Sequence, residues 1–164
     1  MEISFAHPQD IPKLIALAQT TWHATYSSII SQEQIEYMLN LFYSEHVIAE
    51  QMANPNHRFW KVEDQGELLG YAHCYPEGDA FKLSKLYILP NQQGKGIGQF
   101  ILREITHWMQ QHYYSRLILN VNRHNPAYHF YVKMGFEVIE EVDIPLAQFW
   151  LNDYVMQKTI VSQK

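Results

Sequence analysis

The sequence predicts an α/β fold built around one central sheet. Two observations carry that prediction. The hydrophobic period switches between about 3.6 and about 2 residues, in the order strand, helices, three strands, helix, strand, helix, two strands. The chain also has the size and balance of one globular domain. It has 164 residues, 47% apolar and 18% charged, against the roughly 150 residues typical of a domain. A chain of this size buries about 68–70% of its unfolded surface, so its core needs no staples. No repeat, low-complexity tract or Pro/Gly/Ser linker interrupts it, and residues 1–164 read as a single domain.

Each element follows from local chemistry. Residues 2–6 alternate and predict a short strand. Residues 9–23 place Ile11, Leu14, Ile15, Ala18 and Trp22 at helical spacing, with Pro12 tolerated in the first turn. Ser31 with Gln34 fits a capping box that opens a second helix. A third runs from about Ser44 to Met52 and stops before Asn54-Pro55. Residues 58–64 and 67–75 read as strands joined by a hairpin turn at Asp64-Gln65-Gly66. Glu77-Gly78-Asp79 is a further turn, residues 80–89 a third strand, and Pro90 ends it. Residues 97–112 form an amphipathic helix with Ile97, Ile101, Leu102, Ile105, Trp108 and Met109 on one face. Residues 115–121 read as a strand. Asn125-Pro126 opens a short helix that ends at Gly135, and residues 136–142 and 149–160 read as the last two strands.

Composition excludes several function classes. Twelve basic against seventeen acidic residues give a net charge of −5, which disfavours a nucleic-acid binder that works by neutralising phosphates. One cysteine, Cys74, rules out a disulfide framework and a Cys-rich zinc site. No stretch reaches the roughly 18 apolar residues of a membrane span. Residues 1–10 lack a signal-peptide pattern, so the expected location is cytoplasmic, without a membrane partner.

The sharpest local signal is Gln93-Gly94-Lys95-Gly96-Ile97-Gly98, which follows a strand and opens a helix. Glycines let backbone amides approach a ligand without Cβ obstruction. The first helical amides lack internal partners and lie at the positive end of the helix dipole. Together they predict an anion cradle for a phosphate or diphosphate. A nucleotide P-loop needs a hydroxyl after its lysine, and here Gly96 follows Lys95. A dinucleotide fingerprint needs G-x-G-x-x-G in a first βα unit, and here the spacing is G-x-G-x-G after three strands.

About thirty residues further lies Asn125-Pro126-Ala127-Tyr128-His129-Phe130-Tyr131-Val132-Lys133-Met134-Gly135-Phe136. Together the two segments resemble the GNAT superfamily of acetyl-CoA-dependent N-acetyltransferases. Its first signature, [QR]-x-x-G-x-[GA], is matched by Gln93, Gly96 and Gly98. Its second, N-x-x-A-x-x-[FL]-Y-x-x-x-G-F, is matched by Asn125, Ala127, Phe130, Tyr131, Gly135 and Phe136. Leu86-Tyr87-Ile88-Leu89-Pro90 resembles the family's central strand and its exit, and the likeness spans about residues 2–160. It implies a mixed, mostly antiparallel twisted sheet of about seven strands flanked by four or five helices.

The resemblance also implies roles. Amides of Gln93, Gly94, Lys95, Gly96, Ile97, Gly98 and Gln99 would hold the diphosphate of coenzyme A. Main-chain groups of Leu86, Tyr87 and Ile88 would pair with the pantetheine arm like an added strand and polarise the thioester carbonyl. Asn125 would hydrogen-bond the cofactor, and it also suits a helix N-cap. Tyr131 would protonate the departing thiolate, a hydroxyl and a thiol having reference pKa values of about 10 and 8.5. Packing with Phe130 and Phe136 is the alternative role for Tyr131, and the motif context favours the proton donor. Family members are often dimers, so a homodimer is possible, with the aromatic-rich C-terminal strand as a pairing edge.

One departure stands out. Many members carry Glu near the start of the central strand to deprotonate the amine, and Lys82 occupies that place here. His73 and Glu77 are the weak substitutes, alongside no dedicated base. His107 with His112, and His124 with His129, are five apart, off the spacing that puts two metal ligands on one helix face. On the acceptor side, Trp22, Tyr26 and Trp150 are weak candidates to enclose an amine of a small molecule or peptide. Two rival readings stay open: an acyl-CoA-binding regulatory module, and an acyltransferase with another acyl donor or a hydroxyl acceptor.

Overall fold

The computed structural model describes residues 1–161. Its seven strands are β1 (Glu2–Phe5), β2 (Arg58–Asp64), β3 (Glu67–Glu77), β4 (Ala80–Ile88), β5 (Arg116–Asn122), β6 (Glu137–Leu146) and β7 (Phe149–Thr159). They form one sheet in the order β1-β2-β3-β4-β5-β7-β6. Every pairing is antiparallel except β4 with β5. Helices α1 (Ile11–Tyr26), α2 (Gln32–Phe42) and α3 (Glu45–Ala53) pack on one face. Helices α4 (Ile97–Gln111) and α5 (Ala127–Lys133) pack on the other. No helix among the described residues is long and apolar enough to cross a membrane.

Strand alternation divides the core in two. Trp60, Val62, Ala72 and Cys74 point toward α4, against Ile101, Ile105 and Met109. Phe59 and Tyr71 point the other way, against Leu14, Ile35 and Ile48. Local chemistry sets the turns. Gln65 and Gly66 both adopt positive φ, as a tight two-residue hairpin requires. Ser31 caps α2 by accepting from the Gln34 amide at 3.1 Å. Only half of the expected capping box forms, because the Gln34 side chain donates instead to the Trp150 carbonyl at 3.1 Å and ties α2 to β7.

Three boundaries run longer than their sequence patterns. Helix α1 continues to Tyr26, whose ring stacks on Trp22 one turn back at 4.4 Å. Strand β3 continues through Pro76 to Glu77. Strand β6 continues through Pro145 to Leu146, a proline tolerated because β6 is an edge strand. The C-terminal strand β7 is not an edge. It pairs with β5 on one side and β6 on the other, so it has no free edge for a second subunit.

Two irregularities in β4 shape the centre. The register against β3 steps from His73↔Lys85 to Cys74↔Leu83, so Ser84 is an extra, bulged residue. Because side chains alternate, one inserted residue flips every later side chain to the opposite face. Phe81 and Leu83 therefore face α4, whereas Tyr87 packs with the α1–α3 core. The parallel pairing with β5 covers only Phe81, Leu83 and the Lys82 between them. Beyond the bulge the two strands separate. Residues 85–88 keep β3 on one side and have no strand partner on the other.

Candidate active site

The glycine segment is an anion cradle built from backbone. Gly94 and Gly96 have φ of 78° and 85°, the left-handed region that favours glycine. A Cβ at either position would meet nothing within 4 Å, so both face open space. Gly96 caps α4. Among the described residues, no partner is found for the amides of Gly94, Lys95, Gly96, Ile97, Gly98 and Gln99; the first capping bond is donated by Phe100 to the Gly96 carbonyl. The Gln93 side chain donates to the Ile88 carbonyl at 3.2 Å and pins the loop to the end of β4. Lys95 reaches Gln92 at 3.3 Å. Gly98 differs from the other two. Its space is filled by the Phe130 ring of α5.

The separation of β4 from β5 opens a cleft of about 640 Å³. Ser84, Lys85 and Tyr87 of β4 form one wall. Asn120 and Asn122 of β5 with Asp153 of β7 form another, and Tyr26, Tyr43 and Gln51 close it from the helical side. Burial holds the Asp153 carboxyl above the usual carboxylate range, opposed by hydrogen bonding from Asn120 and by the charges of Lys82 and Arg123. Asn120 reaches Asp153 at 3.4 Å.

The residues expected from the sequence fall in three groups. Tyr26 lines the cleft and accepts from the Asn125 amide at 3.0 Å, while Asn125 also caps α5 by accepting from the Ala127 amide at 2.9 Å. Trp22 lines it too, but its indole donates to the Tyr87 hydroxyl at 3.1 Å, and that hydroxyl also bonds Tyr43. The Trp150 side chain does not line the cleft. Alternation along β7 turns it outward, 56% exposed, and sends Leu151 and Asp153 inward instead. Tyr131 is buried beside Phe130 and Phe136, and burial raises its hydroxyl well above the ordinary tyrosine value. That hydroxyl has no hydrogen-bond partner among the described residues, yet it is not sealed from the surface.

The two weak base candidates are placed apart from the cleft. Glu77 is exposed at the end of β3, 4.0 Å from Lys82, which also bonds Asn120. His73 is fully buried, and burial first, then Lys85 and His57, pushes its pKa far below the ordinary histidine range. It therefore contacts no acceptor itself. It instead bridges two residues that the sequence did not single out. His57 Nδ1 lies 2.7 Å from His73 Nε2, and Lys85 Nζ lies 3.1 Å from His73 Nδ1. Cys74 is buried in the core under α4, and burial raises its thiol.

A backbone anion cradle following a strand with an open edge, beside a polar cleft, suits a ligand that carries a phosphate and an extended arm. The comparisons agree. Residues 26–158 match the family model described as an acetyltransferase (GNAT) domain, and the chain belongs to that family. It is 28% identical to an uncharacterised N-acetyltransferase of Mycobacterium bovis over 93% of this chain and 99% of the relative. It is 28% identical to the spermidine N(1)-acetyltransferase of Thermoplasma acidophilum over 96% of each. The crystal structure of PaiA N-acetyltransferase from Thermoplasma acidophilum, in complex with coenzyme A, superposes with a TM-score of 0.84 at 27% identity. That match covers 97% of this chain and 99% of the other. The chain is an N-acetyltransferase that uses acetyl-CoA.

Proposed function

We propose that the acceptor is a primary amine of a small cationic molecule or a peptide, which attacks the acetyl donor directly in a ternary complex. The opening between β4 and β5 carries this reading. It borders a cleft that holds one carboxylate, Asp153, among its described lining residues, and the amide cradle follows β4 in the chain. Bound acetyl-CoA supplies an acetyl group already activated as a thioester. The amides of residues 94–99 hold its diphosphate, with Lys95 beside them. The unpartnered edge of β4 at Leu86, Tyr87 and Ile88 accepts the pantetheine arm as an added strand, and its N–H groups stabilise negative charge on the carbonyl oxygen. Tyr131 donates its hydroxyl proton to sulfur as the carbon–sulfur bond breaks, and the proton that the attacking nitrogen sheds on becoming an amide restores the hydroxyl through solvent. Burial keeps that proton in place at neutral pH. Asn125 orders the site by holding Tyr26 and the start of α5.

Asp153 favours a cationic acceptor, as does the net charge of −5. The likeness to a spermidine N(1)-acetyltransferase supports a polyamine as the first acceptor to try. The test begins with calorimetric titration of acetyl-CoA into the wild type and Gly96→Glu, which places a carboxylate in the cradle. Binding that the variant loses supports the cradle. Thiol release is then followed with a polyamine, an amino sugar and a peptide amine. No binding by the wild type at millimolar acetyl-CoA overturns the assignment of the site.

A further inference from the structure

An alkylamine acceptor is an ammonium ion at neutral pH, and it must lose a proton before its nitrogen can attack. The place expected for a carboxylate base holds Lys82, which is committed to Glu77 and Asn120. We propose that Lys85 takes the proton from the acceptor ammonium and that a hydrogen-bonded relay through His73 to His57 carries it away. This rests on the amine-acceptor reading above.

One assignment of hydrogens along the chain fits the geometry. Lys85 lies in the cleft wall on the residue after the bulge, and its Nζ reaches Gln51 Oε1 at 3.0 Å and His73 Nδ1 at 3.1 Å. A neutral amine has two N–H donors, and these two acceptors use both. Its lone pair is left over. With Lys85 donating to Nδ1, His73 carries its proton on Nε2, which then donates to His57 Nδ1 at 2.7 Å. His57 in turn carries its proton on Nε2. It is half-buried and lies between the cleft, whose edge it lines, and a separate surface depression of about 350 Å³, into which the proton is released. Stacking of His73 on Phe59 at 4.2 Å, and of His57 on Tyr75 at 4.9 Å, holds both rings.

The proton balance follows. The acceptor R–NH3⁺ gives a proton to the Lys85 lone pair and becomes R–NH2. In one concerted shift Lys85 passes a proton to His73 Nδ1, His73 passes its Nε2 proton to His57 Nδ1, and His57 releases its Nε2 proton to water, so that no positive charge rests on His73. One proton leaves the cleft, and the three side chains end neutral. After the product leaves, solvent returns a proton to His57 Nε2, the chain shifts back, and Lys85 gives one proton to a cleft water, which restores the tautomers. The Tyr43 ring, 5.4 Å from Nζ, steadies the charged form while it lasts.

Burial lowers the Lys85 ammonium to about 7. The histidines and tyrosines facing it move away from that range. His57 and His73 are lowered by burial, and Tyr26, Tyr43, Tyr75 and Tyr87 are raised by it. Asp153 is raised above the usual carboxylate range by burial, opposed by hydrogen bonding from Asn120 and by the charges of Lys82 and Arg123.

The experiment is the pH dependence of kcat/KM for an alkylamine acceptor, read by thiol release, in the wild type, Lys85→Gln and Lys85→Arg. The wild type should rise to a plateau above about pH 7. Both variants should lose about 10²–10³-fold at pH 7 and recover tenfold per pH unit toward the acceptor's own pKa near 10. Arginine keeps the charge and the donors but cannot give up its proton, so a merely structural or binding role would be rescued by it. His73→Gln, a positioning variant, should shift the wild-type midpoint. A wild-type profile that climbs tenfold per unit to about pH 10 overturns the proposal without any variant. So does Lys85→Arg with the wild-type rate and profile. Both of those outcomes leave the amine-acceptor reading standing. Failure of the wild type to acetylate any amine, despite binding acetyl-CoA, overturns both.

Discussion

Gly98 and Phe130 are fitted to each other: a Cβ on Gly98 would lie 2.9 Å from the Cζ of the Phe130 ring. This contact joins the two sequence segments that define the site. It packs the first turn of α4, whose amides hold the anion, against α5, which carries Tyr131. Gly98 is therefore a packing glycine, whereas Gly94 and Gly96 serve the backbone turn. Gly98→Val should cost about 2 kcal/mol of stability by overpacking, lowering Tm by about 4–8 °C for a chain of this size. Phe130→Leu in the same chain should recover about 1 kcal/mol, because neighbours in contact do not add independently. A double-mutant cycle by thermal unfolding checks this. Purely additive losses would sever the link.

Tyr131→Phe should lower kcat about 10²-fold with little change in the KM for acetyl-CoA, the signature of a group used only as the reaction proceeds. Its hydroxyl bonds no other described residue, so stability should stay within about 0.5 kcal/mol of the wild type. Burial raises this hydroxyl, so its titration should not curtail activity below about pH 10. Steady-state kinetics with matched unfolding curves test both parts. An unchanged kcat would make Tyr131 a packing residue only.

Asp153→Asn should raise the KM for a polycationic acceptor about tenfold more than that for a monoamine, since it removes the cleft's carboxylate without changing its shape. Trp150→Ala should leave both values alone, its side chain lying outside the cleft. Acceptor kinetics at fixed ionic strength separate the two. A large KM effect of Trp150→Ala would mean that the acceptor extends beyond the cleft, onto the outer face of β7.

Much of this was legible in the sequence, and the exceptions share one cause. Alternation and helical spacing, together with capping, Pro and Gly signals, located every strand and α-helix, although β1 and β6 bury little. The glycine segment and the Asn125–Tyr131 pattern marked two sides of the site. What stayed hidden depends on long-range pairing. Alternation alone puts Lys85 on the same face as Phe81 and Leu83, against α4, where a lysine has no partner. The bulge at Ser84 reverses that and sets Lys85 beside His73. No local signal in β4 announces a bulge, since Ser84 is an ordinary strand residue. His57 precedes β2 and Tyr43 follows α2, so neither belongs to a recognisable motif. The outward turn of Trp150 depended on the register of β7 with β6, which pairs it with Pro145.

The environment that suits Lys85 to accept a proton also makes it a burden on the fold. Its ammonium sits at about 7, against an ordinary 10.5. Between those values the unfolded chain holds the proton and the folded chain does not, so folding releases it and stability rises with pH. Below about pH 7 both states are protonated, and the full penalty, on the order of a few kcal/mol, is present. Lys85→Met lacks this dependence, although it leaves Gln51 and His73 without their partner at every pH. The stability of the wild type relative to Lys85→Met should therefore increase from pH 7 to pH 10. Groups common to both chains cancel in that difference. Denaturant unfolding at the two pH values measures it, and an equal difference at both would show that Lys85 is charged in the folded protein and unable to act as a base.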